Sequence, residues 1–394
     1  MAWKKVKLEK ICDISSGGTP SRKENFYYNG QIPWLKISDL NVRGKFVYDS
    51  EEKITNRGLN AIRDKIFEKG TLMFAMYGSI GKTAFAGVNL SCNQAILGIS
   101  SKDNNRTNLD YINYWLKSKK KLLSKLANGV AQKNLSATII KELEIPLPPM
   151  EIQIKIAEAL DKAQELIDNR KLQLEKYDEL IQSTFIDMFG DPVLNTKKWN
   201  SKKLGELTEV GSSTRVFTSE LVLEGIPFYR GSEIGKLSMG EKITSELYIS
   251  LDHYNKIKKK YSIPKIGDLL MSSICPDGKI WCVDNDNPFY YKDGRVLWIK
   301  RNEEIICSKY LQYFLKIIFR LNYSKIASGT TFSELKIFIL KELLIYLPPI
   351  ELQNKFASII EAIENEKKLC EESLKQIEEN FDSMIDKAFK GELF

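Results

Sequence analysis

The sequence is poorest in the residues that most often do chemistry. One histidine, His253, stands among 394 residues, which removes most histidine-based acid–base and metal chemistry and leaves carboxylates as the candidates for such work. Six cysteines, Cys12, Cys92, Cys275, Cys282, Cys307 and Cys370, are scattered with no C-x-x-C pair and no accompanying histidines. No zinc site is expected from them, and they read as reduced core thiols. No apolar run reaches membrane-spanning length and the opening MAWKKVKLEK has no signal-peptide core, so a cytoplasmic protein without a membrane span is expected. Glycine and proline are missing altogether from residues 150–189 and 350–390, and each stretch follows a Leu-Pro-Pro that closes the segment before it.

What is present is present twice. ELEIPLPPMEIQ at residues 142–153 returns as ELLIYLPPIELQ at residues 342–353, shifted by 200 positions with eight of twelve residues identical. Trp3 lines up with Trp199, Ile32-Pro33-Trp34 with Ile226-Pro227-Phe228, Gly70-Thr71-Leu72 with Gly267-Asp268-Leu269, and Tyr111 and Tyr114 with Tyr310 and Tyr313. A copy of that length is too long for a solenoid unit and suits a whole domain. The framework agrees while the residues between framework positions differ, as expected if the scaffold repeats and the specificity does not.

Charge follows the same division. Residues 1–149 and 191–349 carry net charges of +11 and +6, whereas residues 150–190 and 350–394 carry −4 and −5, within a total of +8. Basic charge gathered in the two globular segments is what a polyanion-binding protein requires, and a merely soluble surface does not need that segregation.

Steps of four and three along the first glycine-free stretch bring Ile156, Leu160, Ile167, Leu174 and Ile181 onto one seam. The same register 200 residues later brings Phe356, Ile360, Ile363, Leu374, Ile377 and Phe381. A seam sustained this long with charged flanks predicts two coiled-coil helices of roughly 60 Å. Each is the other's obvious partner, antiparallel if the two copies are related by a pseudo-twofold axis. Arg170 and Lys367 fall in the seam and are expected to fix register or snorkel to its edge. A seam that docks on its own globular domain is the competing reading. The fold class expected is α+β (mixed α/β): globular domains at 1–149 and 191–349, and long helices within 150–190 and 350–394.

With these features the chain resembles the specificity subunit of type I restriction-modification systems. The resemblance rests on Ser16-Gly17-Gly18-Thr19-Pro20-Ser21, Ile32-Pro33-Trp34, Gly78-Ser79-Ile80-Gly81-Lys82, Gln132-Lys133-Asn134-Leu135-Ser136, Ile145-Pro146-Leu147-Pro148-Pro149, Phe189-Gly190-Asp191-Pro192 and the closing Gly391-Glu392-Leu393. It implies two target recognition domains, each reading one half of a bipartite double-stranded DNA sequence, on an antiparallel pair of helices. It also implies two DNA adenine methyltransferase subunits, which would carry S-adenosylmethionine, and restriction subunits, which would carry ATP and Mg. This chain is then expected to hold no cofactor, metal or catalytic residue. Two departures stand out: an apolar residue separates Glu from Gln in Glu151-Ile152-Gln153 and Glu351-Leu352-Gln353, and Thr331-Phe332-Ser333-Glu334 replaces Gln132-Lys133-Asn134-Leu135 in the second copy.

Phosphates are held by Lys, Arg, Ser, Thr and backbone amides, and base edges by Arg, Asn, Gln and Lys. Turn residues and polar or basic side chains at matching places give Gly18, Thr19, Lys36, Tyr77, Ser79, Lys82, Gln132, Lys133, Asn134 and Ser136 as DNA-contact candidates in the first domain. Ser213, Thr214, Arg230, Ser273, Lys279, Thr330, Thr331 and Ser333 are those of the second. The runs Lys119-Lys120-Lys121 and Lys258-Lys259-Lys260 read better as solvated faces. Gly78 to Thr83 resembles a phosphate loop but has Met76 where glycine is needed. Asp286-Asn287-Pro288-Phe289 resembles an amino-methyltransferase motif without its second proline, and Pro276-Asp277-Gly278-Lys279 is a weak nuclease hint. A self-sufficient methyltransferase or nuclease lacks its motifs here, and a two-headed coiled-coil adaptor for proteins would not need the segregated basic charge.

Overall fold

The computed structural model describes residues 3–127, 135–327 and 333–394. They fall into two compact units, Met1–Leu174 with Leu369–Phe394, and Glu175–Lys368. The division crosses both long helices, so each unit holds one copy of the repeat and part of each helix.

In the first unit the strands are β1 (Lys5–Lys7), β2 (Cys12–Ser16), β3 (Tyr28–Leu35), β4 (Phe46–Val47), β5 (Lys53–Ile54), β6 (Leu72–Ala75), β7 (Thr83–Ala86), β8 (Ser91–Cys92), β9 (Ile96–Ser101) and β10 (Glu144–Pro146). The helices are α1 (Leu8–Ile11), α2 (Asn56–Ala61), α3 (Leu109–Ser118), α4 (Lys120–Ala127), α5 (Ala137–Glu142) and the first part of α6 (Met150–Phe189). A five-stranded sheet runs β2-β9-β6-β7-β4 and a smaller one β5-β3-β8, while β1 pairs with β10. Side chains alternate across a strand. Leu72 and Phe74 of β6 therefore enter the core beneath α3 and α6, and Met73 and Ala75 enter a second core with Leu35 and Leu40.

The second unit repeats this plan with β11 (Ser201–Lys203), β12 (Val210–Gly211), β13 (Leu221–Val222), β14 (Ile226–Tyr229), β15 (Tyr248–Ile249), β16 (Leu269–Ser272), β17 (Ile280–Cys282), β18 (Tyr290–Tyr291), β19 (Val296–Ile299) and β20 (Leu344–Tyr346). Its helices are α7 (Leu204–Leu207), α8 (Gly231–Leu237), α9 (Leu251–Lys260), α10 (Ser308–Ile326), α11 (Ile337–Glu342) and the first part of α12 (Ile350–Lys390). The sheets are β12-β19-β16-β17 and β13-β15-β14-β18, and β11 pairs with β20. The strand order follows the first unit's, with β13 added to the smaller sheet and no counterpart of β4 in the larger, while α8 is an extra α-helix after β14 and the single α10 stands where the first unit has α3 and α4.

The repeated Leu-Pro-Pro-x-Glu-x-Gln is explained by its glutamine. Gln153 is fully buried: its amide nitrogen donates to the carbonyls of Pro148 (2.9 Å) and Arg106 (3.0 Å), and its oxygen accepts from Asn108 N–H (3.0 Å) at the start of α3. Gln353 donates to Pro348 (2.8 Å) and accepts from Cys307 N–H (2.9 Å) at the start of α10. One side chain thus satisfies otherwise orphaned backbone groups where two helices begin. Tyr111 and Tyr310 likewise donate to the carbonyls of Pro146 and Tyr346.

Both long helices form, and they run antiparallel. In the first unit Ile156, Leu160, Ala163 and Ile167 of α6 share a core with Phe381, Ile385 and Ala388 of α12, early residues of one beside late residues of the other. In the second unit Ile181, Phe185 and Phe189 share a core with Phe356 and Ile360, with Ile363 against it. Leu374 and Ile377 pack against the first core, and Leu174 is half-buried. Lys367 leaves the seam to meet Asp178 (2.6 Å), and Lys171 meets Glu378 (2.8 Å). The coiled-coil pattern omits Phe185 and Ile385. Where the pair also carries a globular domain, the apolar face of each helix must cover both the other helix and the domain, so it widens beyond a two-helix seam. Pairing with the other helix and docking on a globular domain therefore occur together.

Candidate nucleic-acid interface

In both units the turn after the first sheet strand is built against the same neighbours. Gly17 N–H donates to Ile96 O and Gly18 N–H to Cys92 O, and Trp34 Nε1 donates to Gly18 O at 2.9 Å. A Cβ on Gly17 would stand 2.0 Å from the Cys92 carbonyl oxygen, and one on Gly18 2.9 Å from Ile62 Cβ. The glycines of this motif are thus required by close approach to protein rather than to a ligand. Thr19 is exposed and bonds Gln94. In the second unit hydroxyls take over: Ser213 Oγ donates to Tyr291 O (2.7 Å), and Thr214 N–H donates to Tyr290 Oη (2.9 Å).

The matching cations Lys36 and Arg230 are neutralised inside their own units. Lys36 Nζ lies 2.7 Å from Glu51 and 3.0 Å from Glu52, which raises its pKa. Arg230 lies 2.8 Å from Glu233 and 2.9 Å from Glu246. Burial works against the Glu233 charge, but bonds from the Arg230 side chain and backbone and from Ser232 outweigh it and hold the carboxyl at about 2. Each cation also opens a short helix, its N–H donating to Asp39 or Glu233 three residues on.

The hairpin between β6 and β7 turns on Gly78 and Gly81, both at positive φ. Ser79 is exposed at its tip, Tyr77 packs on the core, and Lys82 bonds Asn41 Oδ1. This is a β-hairpin and not a phosphate loop. Ser136 caps α5 by accepting from Ile139 N–H (3.3 Å). Ser273 is 2% exposed and its carbonyl accepts from Leu335 N–H and Tyr323 Oη, so it serves the interior. Ser333 O also accepts from Tyr323 Oη, and Lys279 pairs with Asp277 at 2.8 Å. Gln132, Lys133, Asn134, Thr330 and Thr331 lie outside the described residues.

The structure brings Ser213 and Thr214 together with residues that sequence reasoning passed over. They line a surface cavity of about 370 Å³ with Ser212, Lys260, Tyr261 and Lys300 among its walls. Lys300 pairs with Glu209, and Lys260 stands over the Tyr261 ring. Exposed aromatics with stacked arginines occur in both units, Arg57 over Phe26 and Arg215 over Phe217. The signal for Lys260 was the lysine run itself; its position against the serine turn is a non-local fact.

The methyltransferase-like segment has Phe289 buried against Tyr229 and Trp281, ring centroids 5.2 Å apart in each pair. Among the described residues no group of three or more His, Cys, Asp or Glu could hold a metal ion, and no helix is long and apolar enough to cross a membrane. Five of the six thiols are buried, and burial pushes Cys12 up to about 12 and Cys282 up to about 11.

Comparison with known proteins agrees across the length of the chain. The family described as type I restriction modification DNA specificity domain matches residues 2–176 and 196–379. The type I restriction enzyme MjaIX specificity subunit of Methanocaldococcus jannaschii is 29% identical, over 99% of this chain and 93% of its own. The putative specificity subunit S.HindORF215P of Haemophilus influenzae is 26% identical, over 92% and 87%. Two solved structures share the fold at 18% identity. One is the S subunit of a type I restriction-modification system from M. genitalium, with a TM-score of 0.56 over 98% of this chain and 96% of that one. The other is a chain from a type I R-M system solved to explain complex assembly and conformational transition, with a TM-score of 0.60 over 100% and 98%. With the match occupying most of both copies of the repeat, the chain belongs to the type I restriction-modification DNA specificity family.

Proposed function

We propose that this chain is the DNA-reading subunit of a type I restriction-modification complex and that each unit reads one half of a bipartite target. The observation that carries this reading is the duplication with an unequal surface. Gln153 and Gln353, and Tyr111 and Tyr310, do the same work in the two copies. The turns, hairpins and edge strands differ, and direct readout depends on just such side chains placed against base edges. Two methyltransferase subunits would supply S-adenosylmethionine and flip the adenine, and restriction subunits would supply ATP and Mg. Phe289, in the one segment resembling a methyltransferase motif, is packed among aromatics, which supports reading that segment as core. On this reading the chain directs chemistry that its partners perform.

The test is genome-wide adenine methylation mapped with and without this gene, and again after residues 199–340 are exchanged for the matching part of a homologue. One half of the methylated sequence is expected to change and the other to stay. Change in both halves, or in neither, overturns the reading, as does methyl transfer by the purified chain alone.

A further inference from the structure

In each unit a short strand beside β3 or β14 leads through a capping hydroxyl into a helix, β5–Thr55–α2 in the first and β15–Ser250–α9 in the second. The exits of these helices lie against the turn that follows β2 or β12. In the first unit Ile62 touches Gly18, and Lys65 Nζ donates to Ser16 O at 2.6 Å. Between those contacts stands Arg63, exposed and at φ +61°, followed by Asp64 at φ +52°. Two consecutive non-glycine residues in the left-handed region cost conformational energy, and such strain gathers at ligand clamps. In the second unit the exit residues Lys260 and Tyr261 wall the cavity shared with Ser212, Ser213 and Thr214. Among the described residues neither Arg63 nor Lys260 takes part in an ion pair, in contrast to Lys36, Arg230 and Lys300.

We infer that Arg63 and Lys260 are equivalent phosphate clamps, each holding one backbone phosphodiester of the DNA half-site read by its unit. A lysine at a helix C-terminus is favoured by the helix dipole alone. That accounts for the run 258–260 but not for the cavity at Lys260, nor for an arginine held in a strained conformation at the matching place. The Ser212 and Ser213 hydroxyls are spent on the Val296 and Tyr291 carbonyls and fix the wall, and a cation outside any ion pair at the edge of such a polar cavity suits a singly charged phosphodiester. This inference rests on the proposed function, because it presumes that the units face DNA.

The experiment is a salt titration of DNA binding by the assembled methyltransferase complex containing this chain, with target and random duplexes. Lys260→Gln and Arg63→Asn are each expected to weaken both duplexes alike and to reduce the slope of log K against log salt by about one unit, leaving the methylated sequence unchanged. Asparagine tolerates the left-handed conformation, so backbone disruption does not explain a loss at position 63. Lys260→Arg should restore the slope. Lys256→Gln, on the same helix but outside the cavity walls, should shift it by less than half as much. An unchanged slope in Lys260→Gln and Arg63→Asn overturns the inference, and so does a changed recognition sequence, which would make these residues base readers. A wild-type complex that fails to prefer its target overturns the underlying reading, a result separate from either.

Discussion

The two units share a frame and differ at the joint between recognition lobe and long helix. In the first, Lys45, beside edge strand β4, reaches Asp110 of α3 (2.5 Å) and Asp161 of α6 (2.9 Å), while Tyr114 donates to Asp161 (2.7 Å). In the second the tyrosine is kept, Tyr313 donating to Glu364 of α12 at 2.7 Å, but the cation is Lys309 of α10 (2.8 Å). The first sheet is therefore tied to its helix by a charge from its own edge, and the second, among the described residues, by charges between α10 and α12. The copies preserved the tyrosine but moved both charges, since Glu364 stands one helical turn beyond Glu361, the match of Asp161, so this joint constrains geometry more than it constrains sequence.

The largest expected effect separates the aromatic joint from the aliphatic one. Phe185 is 1% exposed, its ring centroid within 6.4 Å of those of Phe189, Tyr310, Phe314 and Phe356, whereas the matching position in the first unit is Ile385. Phe185→Ala should cost about 3–5 kcal/mol and Ile385→Ala about 2–4 kcal/mol in urea unfolding. Equal losses would show that the two joints pack alike.

A smaller effect depends on pH. Lys316 packs over the Tyr313 ring at 4.5 Å, and its pKa falls to about 8 from an ordinary value of 10.5. Burial is the main cause, Glu364 opposes it, and Lys309, Arg320 and Lys367 add to it. The folded state thus gives up its proton at lower pH than the unfolded chain. The cost of the charge is felt fully below pH 8 and fades as pH rises towards 10.5. Lys316→Met should stabilise the second unit by about 1–3 kcal/mol at pH 7 and by nothing above pH 10.5. Lys117, over Tyr114 and lowered in the same direction by burial, should show the same sign. A gain that persists at high pH would assign the effect to packing instead of charge.

The smallest concerns the edge tie itself. Lys45→Met should cost about 1 kcal/mol, less in high salt, since its side chain is 30% exposed. Amide exchange should quicken at Phe46 and Val47, the strand it precedes. Lys309→Met should leave the second sheet's edge exchange unchanged, and equal quickening in both sheets would erase the distinction drawn between the units.

The long helices were legible because their signal is local. Glycine-free stretches and a seven-residue seam report backbone preference and one face, both readable along the chain. The contact candidates were harder. Gly18 reads as a ligand-approach glycine until Ile62 and Cys92 are seen to fill the space beside it, and Lys36 and Arg230 read as free cations until Glu51, Glu52, Glu233 and Glu246 are in place. Lys260 was passed over because a lysine run at a helix end has an ordinary explanation.

The sequence by itself determined that the chain is a duplicated basic domain carried on paired helices, and to which family it belongs, because repetition, periodicity and motif order are properties of the linear chain. The tertiary structure alone decided which cations remain uncommitted, which glycines are filled by protein, and where a serine turn meets a lysine. Coulomb attraction and close packing act over a few ångströms between residues that stand tens of positions apart.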